Sequence, residues 1–166
     1  RTVLLKETSN ELAYALYAHD NASRPATYVN SGGSFSADGS QAFPLDAWTH
    51  LAATYDGAVL RLFVNGAEVG HQTVNGGVAT SGQALRVGGN SVWGEYFSGR
   101  IDEVRIYNRA LTPLEIQTDM NTPLGVPPGP QLVITQPVDN ATVNGTTVDV
   151  TYTSTGDLVG AGVDHV

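Results

Sequence analysis

The most constraining feature of this sequence is a pair of alternating apolar runs joined by glycine-containing corners, in residues 48–66 (WTHLAATYDGAVLRLFVNG). Alternation with period two is typical of β-strands, because successive side chains of a strand point to opposite faces of the sheet. Asp56-Gly57 and Asn65-Gly66 favour two-residue hairpin loops, since a type I′ turn needs positive φ at both positions. The stretch therefore predicts two hairpins, which continue through residues 67–74 as a three-stranded meander.

The corner at Asp56-Gly57 also predicts a register and two faces. A two-residue loop pairs Tyr55 with Ala58, Ala53 with Leu60 and Leu51 with Leu62. One face then carries the side chains of a core, namely Leu51, Ala53, Tyr55, Leu60, Leu62 and Val64. The opposite face is mixed, and we expect its Trp48 and Phe63 to pack under a neighbouring strand or under the missing N-terminal segment, with His50 neutral beside them.

Similar short runs, broken by glycine, asparagine and aspartate, predict an all-β, antiparallel fold. Strands are expected near residues 2–7, 12–18, 26–30, 48–55, 58–64, 67–74, 84–88 and 100–107. One short helix should follow at 113–119, because Thr112 can cap it, Pro113 suits its first position and Glu115 completes a capping box.

Proline and glycine then mark a domain boundary. GVPPGP at 125–130 has the composition of a stiff linker, which separates a domain at 1–124 from a tail at 131–166. QLVITQP and TTVDVTYTST predict two strands in the tail, which is too short to bury a core alone. We expect the chain to be a piece of a longer protein, because it begins and ends inside apparent strands and its second β domain is partial.

Composition excludes several classes of partner and site. The formal charge of −8 repels phosphate backbones and anionic lipid surfaces, so nucleic acid is not an expected partner. The absence of cysteine excludes disulfides, thiolate metal sites and cysteine nucleophiles. No apolar run is long enough to cross a bilayer, so we expect no membrane insertion.

Three blocks of sequence carry a family resemblance: WTHLAATYDG at 48–57, LRLFVNG at 60–66, and GRIDEVRIYNRAL at 99–111 with LEI after it. In this order they resemble the LamG-like jelly-roll domains of the concanavalin A-like lectin/glucanase superfamily, over roughly residues 1–124. The resemblance implies a sandwich of two curved antiparallel sheets, with further N-terminal strands that this chain lacks. The tail, on weaker grounds, resembles the start of an immunoglobulin-like β module.

Catalysis by this segment is not expected. Relatives that cleave glycans need two carboxylates converging on the glycosidic bond, and their E-x-D-x-x-E pattern is absent here. The best acidic pair, Asp102-Glu103, is adjacent, so on a strand the two side chains would point to opposite faces. The four histidines form no metal-binding motif, and no serine lies in a nucleophile elbow.

The best candidate binding site is the glycine-rich stretch GGNSVWGEYFSG at 88–99. Sugar binding needs an aromatic plate under the C–H face of a pyranose, together with amide or carboxylate groups for its hydroxyls. The stretch supplies both chemistries in Trp93, Tyr96, Asn90 and Glu95. The alternative is that Trp93 and Phe97 only close the end of the sandwich.

Two further residues are candidates outside that stretch. Arg61 is either an exposed residue of the hairpin with no ligand role, or a residue that binds a carboxylate of the ligand. Asp102 shares a strand face with Val104 and Ile106, and a buried carboxylate must be paired or hold a cation. The superfamily resemblance implies a structural calcium (Ca²⁺) there, held by Asp102 with backbone carbonyls and the acidic loop that this chain lacks. The alternatives are a salt bridge to Arg100, Arg105 or Arg109, or a bulge that turns Asp102 outward.

These features together predict a noncatalytic, extracellular recognition module within a larger secreted or cell-surface bacterial protein. Its expected ligand is a polysaccharide or a glycoconjugate on a cell surface. One alternative is a structural or adhesion spacer with protein partners and no sugar site. Another is an accessory domain of a glycoside hydrolase.

Overall fold

The computed structural model describes residues 1–125, 131–136 and 151–155. The chain divides into two compact units, Arg1–Thr122 and Pro123–Val166. The first unit contains β1 Thr2–Glu7, β2 Leu12–Tyr17, β3 Ala26–Asn30, β4 Ser34–Asp38, β5 Leu51–Tyr55, β6 Val59–Val64, β7 Ala67–Thr73, β8 Leu85–Val87 and α1 Pro113–Met120. The second contains β9 Gln131–Gln136 and β10 Thr151–Thr155.

The two strands of the second unit form an antiparallel pair, as the tail sequence predicts. The predicted turn between them and most of the predicted linker lie outside the described residues. The immunoglobulin-like assignment of the tail and the proposed domain limits therefore stay predictions.

The first unit is an antiparallel β-sandwich, which confirms the predicted fold class. One sheet has five strands in the order β4-β3-β2-β1-β8, and the other is the meander β5-β6-β7. The sequence analysis missed β4, which pairs along its whole length with β3. Within the described residues, no helix is both long and apolar enough to span a membrane.

The hydrophobic core lies on both faces of the five-stranded sheet. Between the two sheets are Val29, Ala37, Leu60, Leu62 and Val74. On the opposite face of the five-stranded sheet are Leu5, Leu12, Ala15, Tyr17 and Ala26. The sheets approach closely at Gly70, where a Cβ atom would lie 2.3 Å from the carbonyl oxygen of Asp38.

The predicted register of the first hairpin is wrong by two residues. Tyr55 pairs with Leu60, Ala53 with Leu62 and Leu51 with Val64. The loop is longer than predicted because the Asp56 carboxylate accepts hydrogen bonds from the Ala58 and Val59 amides, at 2.9 and 2.7 Å. An even shift keeps every side chain on its face, so Leu60 and Leu62 are buried as expected.

Other expectations for the meander have mixed outcomes. The second corner is confirmed, since Asn65 and Gly66 both have positive φ and Val64 pairs with Ala67. Phe63 is buried on the mixed face, as predicted. Trp48 is 68% exposed, so no strand of the described structure covers it. The expected strand over 48–55 begins only at Leu51.

The predicted strand over 100–107 is also wrong, because residues 101–107 form no strand. Side chains fix this segment instead. Arg105 donates to the carbonyl oxygen of Asp119 at 2.6 Å and to that of Thr122, and the Tyr107 hydroxyl donates to the Asp119 carboxylate. These contacts tie the segment to the carboxyl end of α1, where a cation is favourable.

Helix α1 agrees with its sequence signature. Thr112 accepts from the Glu115 amide, and the Glu115 carboxylate accepts from the Thr112 amide, so both halves of the capping box form. Ile116 is the buried residue of the helix, whereas Leu114 is exposed. The helix lies against the second corner of the meander, since a Cβ on Gly66 would lie 3.0 Å from Gln117 Cγ.

Candidate functional site

The candidate site is the loop of residues 88–99, which leaves β8 and folds back on itself. Gly89 and Tyr96 form an antiparallel bridge. The Phe97 amide donates to the Gly88 carbonyl, and the Asn90 amide donates to the Glu95 carbonyl, both at 3.0 Å. The loop is therefore a hydrogen-bonded hairpin rather than an irregular connection.

Asn90 holds the loop to the five-stranded sheet. Its side chain is fully buried and donates to Thr2 Oγ1 at 2.8 Å and to Glu95 Oε2 at 3.3 Å. Its Oδ1 accepts from the Trp93 amide at 2.7 Å. Both polar ends of the amide are thus used inside the protein, where an unpaired group would be unfavourable.

Glu95 is engaged in the same way. Its carboxylate meets Arg1 Nη1 at 3.4 Å and accepts from Thr2 Oγ1 at 3.5 Å, besides the bond from Asn90. The structure thus brings Asn90 and Glu95 together, as the sequence analysis expected. Their contacts are those of residues that shape the loop, while the large side chains open to solvent on it are the aromatic Trp93 and Tyr96.

Trp93 and Tyr96 are the exposed aromatic residues of the loop, with 47% and 69% of their surface open to solvent. Tyr96 lies against the backbone of Gly89, where a Cβ atom would approach its Cδ1 to 2.7 Å. The ring is therefore held on one side and open on the other. Phe97 is only half-buried, and Trp93 is too exposed to close the end of the sandwich as the alternative supposed.

A shallow groove of about 330 Å³ runs beside the Tyr96 ring. Tyr96, Asn90 and Ser91 line it from the loop, and Leu85, Arg86 and Val87 line it from β8. β8 is an edge strand, since β1 is its only partner among the described strands. The groove thus combines an aromatic ring, exposed aliphatic side chains and one guanidinium.

Arg86 is anchored beside this groove by Glu7. The Arg86 Nε donates to Glu7 Oε1 at 2.7 Å, and the Ser91 amide and hydroxyl donate to the same oxygen at 2.7 Å. Glu7 is buried. The hydrogen bonds from Ser91, and then the Arg86 guanidinium, lower the pKa of the Glu7 carboxyl from its ordinary value.

Sequence reasoning missed this cluster. Glu7 and Arg86 are 79 positions apart in the chain, and neither has a local partner that would mark it. The one signal available is that Glu7 ends a predicted strand whose alternation places it on the same face as Leu5, which is a core position. A carboxylate on a core face needs a partner, and that need indicates a cluster.

Arg61 lies apart from the loop, on β6 of the meander. It forms an ion pair with Glu68 of β7 at 3.6 Å, and Glu68 also meets His71 Nδ1 at 2.9 Å. The structure therefore does not bring Arg61 together with the other four predicted ligand-binding residues. Its contacts agree with the first alternative of the sequence analysis, in which Arg61 is an exposed residue of the hairpin with no ligand role.

Asp102 differs from its expectation in two ways. It lies in the segment that forms no strand, and its side chain is exposed rather than buried. Its Oδ1 accepts from the Glu103 amide at 2.9 Å, with Glu103 at φ 55°. Among the residues described, no group of three His, Cys, Asp or Glu side chains could hold a metal ion. The calcium site that the resemblance implied also draws on backbone carbonyls and an acidic loop that this chain lacks, so calcium binding at Asp102 stays a prediction.

Comparison with known proteins places the chain among β-sandwich domains. A laminin G family model of the concanavalin A-like lectin/glucanases superfamily matches residues 1–117. Pappalysin-1 of Mus musculus is 36% identical over 98 residues, and that of Homo sapiens 36% over 100. Each match covers 56% of this chain but only 6% of the relative's length.

One solved structure can be set beside these relatives. It is an S-layer domain-containing protein of Clostridium thermocellum, with a TM-score of 0.43 and 21% sequence identity. The similarity covers 71% of this chain and 61% of that one.

Proposed function

This chain belongs to the concanavalin A-like lectin/glucanases superfamily, and on that premise we propose that its first unit is a noncatalytic, extracellular module that binds a saccharide. The binding surface is the loop of residues 88–99 with the groove beside it. Asn90 and Glu95 shape the loop, and Tyr96 with Trp93 contacts the sugar.

The observation that carries this proposal is the exposed Tyr96 ring held on Gly89. An exposed aromatic face can stack on the C–H face of a pyranose, and its hydroxyl can reach a sugar oxygen. Because Asn90 and Glu95 already satisfy each other and Thr2, the loop does not have to order itself when ligand binds. A preorganised surface of this kind loses less entropy on binding.

The arrangement of acidic residues supports a noncatalytic role. Glycoside hydrolysis uses two carboxyl groups facing one space, one of them with a raised pKa so that it can act as the acid. The two carboxylates nearest the groove, Glu7 and Glu95, are each held by hydrogen bonds inside the protein. The pKa of Glu7 is lowered, which is opposite to the requirement for a general acid.

A second candidate is an adhesion or spacer module with a protein partner. The observation that favours it is the edge strand β8, where Leu85 and Val87 are both exposed. An unpaired strand edge with apolar side chains is a surface on which another chain can add a strand.

A glycan array probed with the full chain and four variants tests the proposal. We expect retention on specific saccharides to be lost in Tyr96→Ala and reduced in Trp93→Ala. Gly89→Ala is the sharper variant, because it keeps the Tyr96 side chain but adds a methyl group 2.7 Å from the ring. Trp48→Ala is the matched control, since Trp48 is an exposed tryptophan outside the loop.

If the unaltered chain binds no saccharide on the array, that result would contradict the proposal and favour the protein-partner alternative. Equal losses in Trp48→Ala and Tyr96→Ala would also contradict it, because they would show that binding does not depend on this loop. Thermal midpoints of all variants would establish that each one folds.

A further inference from the structure

We propose that the groove beside Tyr96 selects saccharides that carry a carboxylate, and that Arg86 is the residue that binds it. This inference rests on the proposed function and deepens it by naming the class of sugar. Uronic acids are the simplest saccharides of that class. The Arg86 guanidinium carries this selection, although its partner Glu7 is 79 positions away in the chain.

Arg86 has hydrogen-bonding capacity to spare at the groove. In the described part of the chain, its Nε donates to Glu7, while no hydrogen bond joins Nη1 or Nη2 to another residue. The side chain is 46% exposed and lines the groove together with Tyr96. A guanidinium carries five N–H donors, so its terminal donors remain open to a ligand.

Glu7 fixes the direction of those donors. Its Oε1 accepts from Arg86 Nε and twice from Ser91, and the Glu7 side chain is almost fully buried. A buried anchor of this kind holds the planar fork of the arginine in one orientation before ligand arrives. Two parallel N–H bonds to one carboxylate are the contact that such a fork makes best.

The charges of the molecule indicate that this selection is short-range. The chain as a whole carries −8, and Glu7 already balances the charge of Arg86. An acidic polymer is therefore not drawn to the protein by its overall field. Discrimination has to come from direct hydrogen bonds at the groove, so it should depend on the fork of Arg86 and not on positive charge alone.

The aromatic ring and the guanidinium have complementary roles in one groove. Tyr96 stacks on the ring of a neutral or an acidic sugar, and Arg86 forms hydrogen bonds with a carboxylate at the edge of that ring. A neutral sugar then binds through Tyr96 alone. An acidic sugar gains charge-assisted hydrogen bonds, which contribute about a tenfold or larger gain in affinity.

The test compares oligogalacturonate with the same oligosaccharide methyl-esterified, which differs only in its carboxylates. Affinities are measured by calorimetry for the full chain at 150 mM salt. We expect the acidic form to bind about tenfold or more tightly than the ester. Arg86→Met should bring the two affinities together, because it should weaken binding of the acidic form much more than binding of the ester.

Arg86→Lys is the second variant, because it keeps a cation beside Glu7 and removes the fork. We expect it to retain less than half of the free-energy preference for the acidic form, and it serves if Arg86→Met does not fold. Arg109→Met is the control. It removes an arginine paired with a carboxylate, Glu115, beside α1, and it should leave both affinities unchanged.

Equal affinities of the unaltered chain for the acid and the ester would overturn the inference while leaving the proposed function in place. A preference that survives in Arg86→Met would overturn it too, because the carboxylate would then bind elsewhere. If neither oligosaccharide binds, and the glycan array is silent as well, both proposals fail together.

Discussion

The meander of residues 51–73 and the segment of residues 100–107 have similar alternating sequences but different structures. The meander forms three paired strands, with Leu60 and Leu62 buried between the sheets. The segment forms no strand, and Ile106 in it is 54% exposed. The difference lies in hydrogen bonding, since both stretches contain the β-branched and aromatic residues typical of strands.

Alternation indicates which side chains share a face, but it does not supply a partner strand. The meander makes its own partners, because its two corners return the chain beside itself. In the described structure no strand pairs with residues 101–107, and Arg105 and Tyr107 attach the segment to α1 through their side chains. The two regions are thus held by different forces, one by a backbone ladder and one by polar side chains.

Hydrogen exchange should show the largest contrast between the two regions. The amides of Leu62 and Phe63, in the central strand β6, should exchange only on global opening. Those of Ile106 and Tyr107 form no backbone hydrogen bond in the described structure, so they should exchange on the order of a thousandfold faster. Mass spectrometry of peptides from both regions measures this, and equal protection would mean that the segment has a backbone partner in solution.

Truncating one apolar side chain in each region should give the next largest difference, measured as the loss of unfolding free energy. Leu62→Ala removes a fully buried side chain between the sheets and should lower the free energy of unfolding by about 2–5 kcal/mol. Ile106→Ala removes a half-exposed side chain and should lower it by less than about 1 kcal/mol. Urea titrations give both values, and similar losses would show that the segment belongs to the core.

Glycine substitutions sharpen the comparison further, because the meander is also fixed by the sheet that covers it. Gly70→Ala places a methyl group against the backbone of Asp38, so we expect a loss of about 1–3 kcal/mol in unfolding free energy. Gly77→Ala is the control, since no atom lies within 4 Å of the added methyl and its φ is not positive. A harmless Gly70→Ala would mean that the sheets can separate there without loss.

Acid should loosen the first turn of α1, the helix to which the segment of residues 100–107 is attached, by a smaller amount. Hydrogen bonds from Arg109, and then from Thr112, lower the pKa of Glu115 to about 2, below its ordinary 4.5. Because the folded-state pKa is depressed, the stabilisation is complete above pH 4.5 and is lost as the pH falls toward 2. Exchange of the α1 amides should therefore accelerate over that window.

Arg109→Met tests the cause of that acid effect, because it removes the main partner of the Glu115 carboxylate. The variant should show weaker pH dependence between 4.5 and 2 than the unaltered chain. An unchanged profile would assign the acid sensitivity of α1 to other groups.

Local sequence signals predicted most of the fold. The capping box of α1, the corner at Asn65-Gly66 and the strands of the meander all depend on residues close together in the chain, and all form as expected. β4 was missed because SFSAD has few apolar residues and depends on pairing with β3. The register error arose because the Asp56 side chain stabilises a longer loop than its sequence suggested.

The candidate site was harder to predict because its contacts are distant in sequence. Asn90 and Glu95 have the residue types of sugar ligands, but Thr2, some 90 positions earlier, occupies them. Arg86 was not noticed for the same reason, since Glu7 is the residue that positions it. The sequence analysis left open whether Trp93 closes the end of the sandwich or binds a sugar, and neither its exposure nor the groove beside Tyr96 could be predicted without the fold.

The loop after Tyr55 makes that hairpin a suitable place for grafting peptides. β6 is paired on both sides, and Leu60 and Leu62 are buried between the sheets, so the register of this strand does not depend on the length of the loop. A peptide inserted between Asp56 and Ala58 would extend from the module, and each doubling of loop length would cost only about 0.6 kcal/mol in closure entropy.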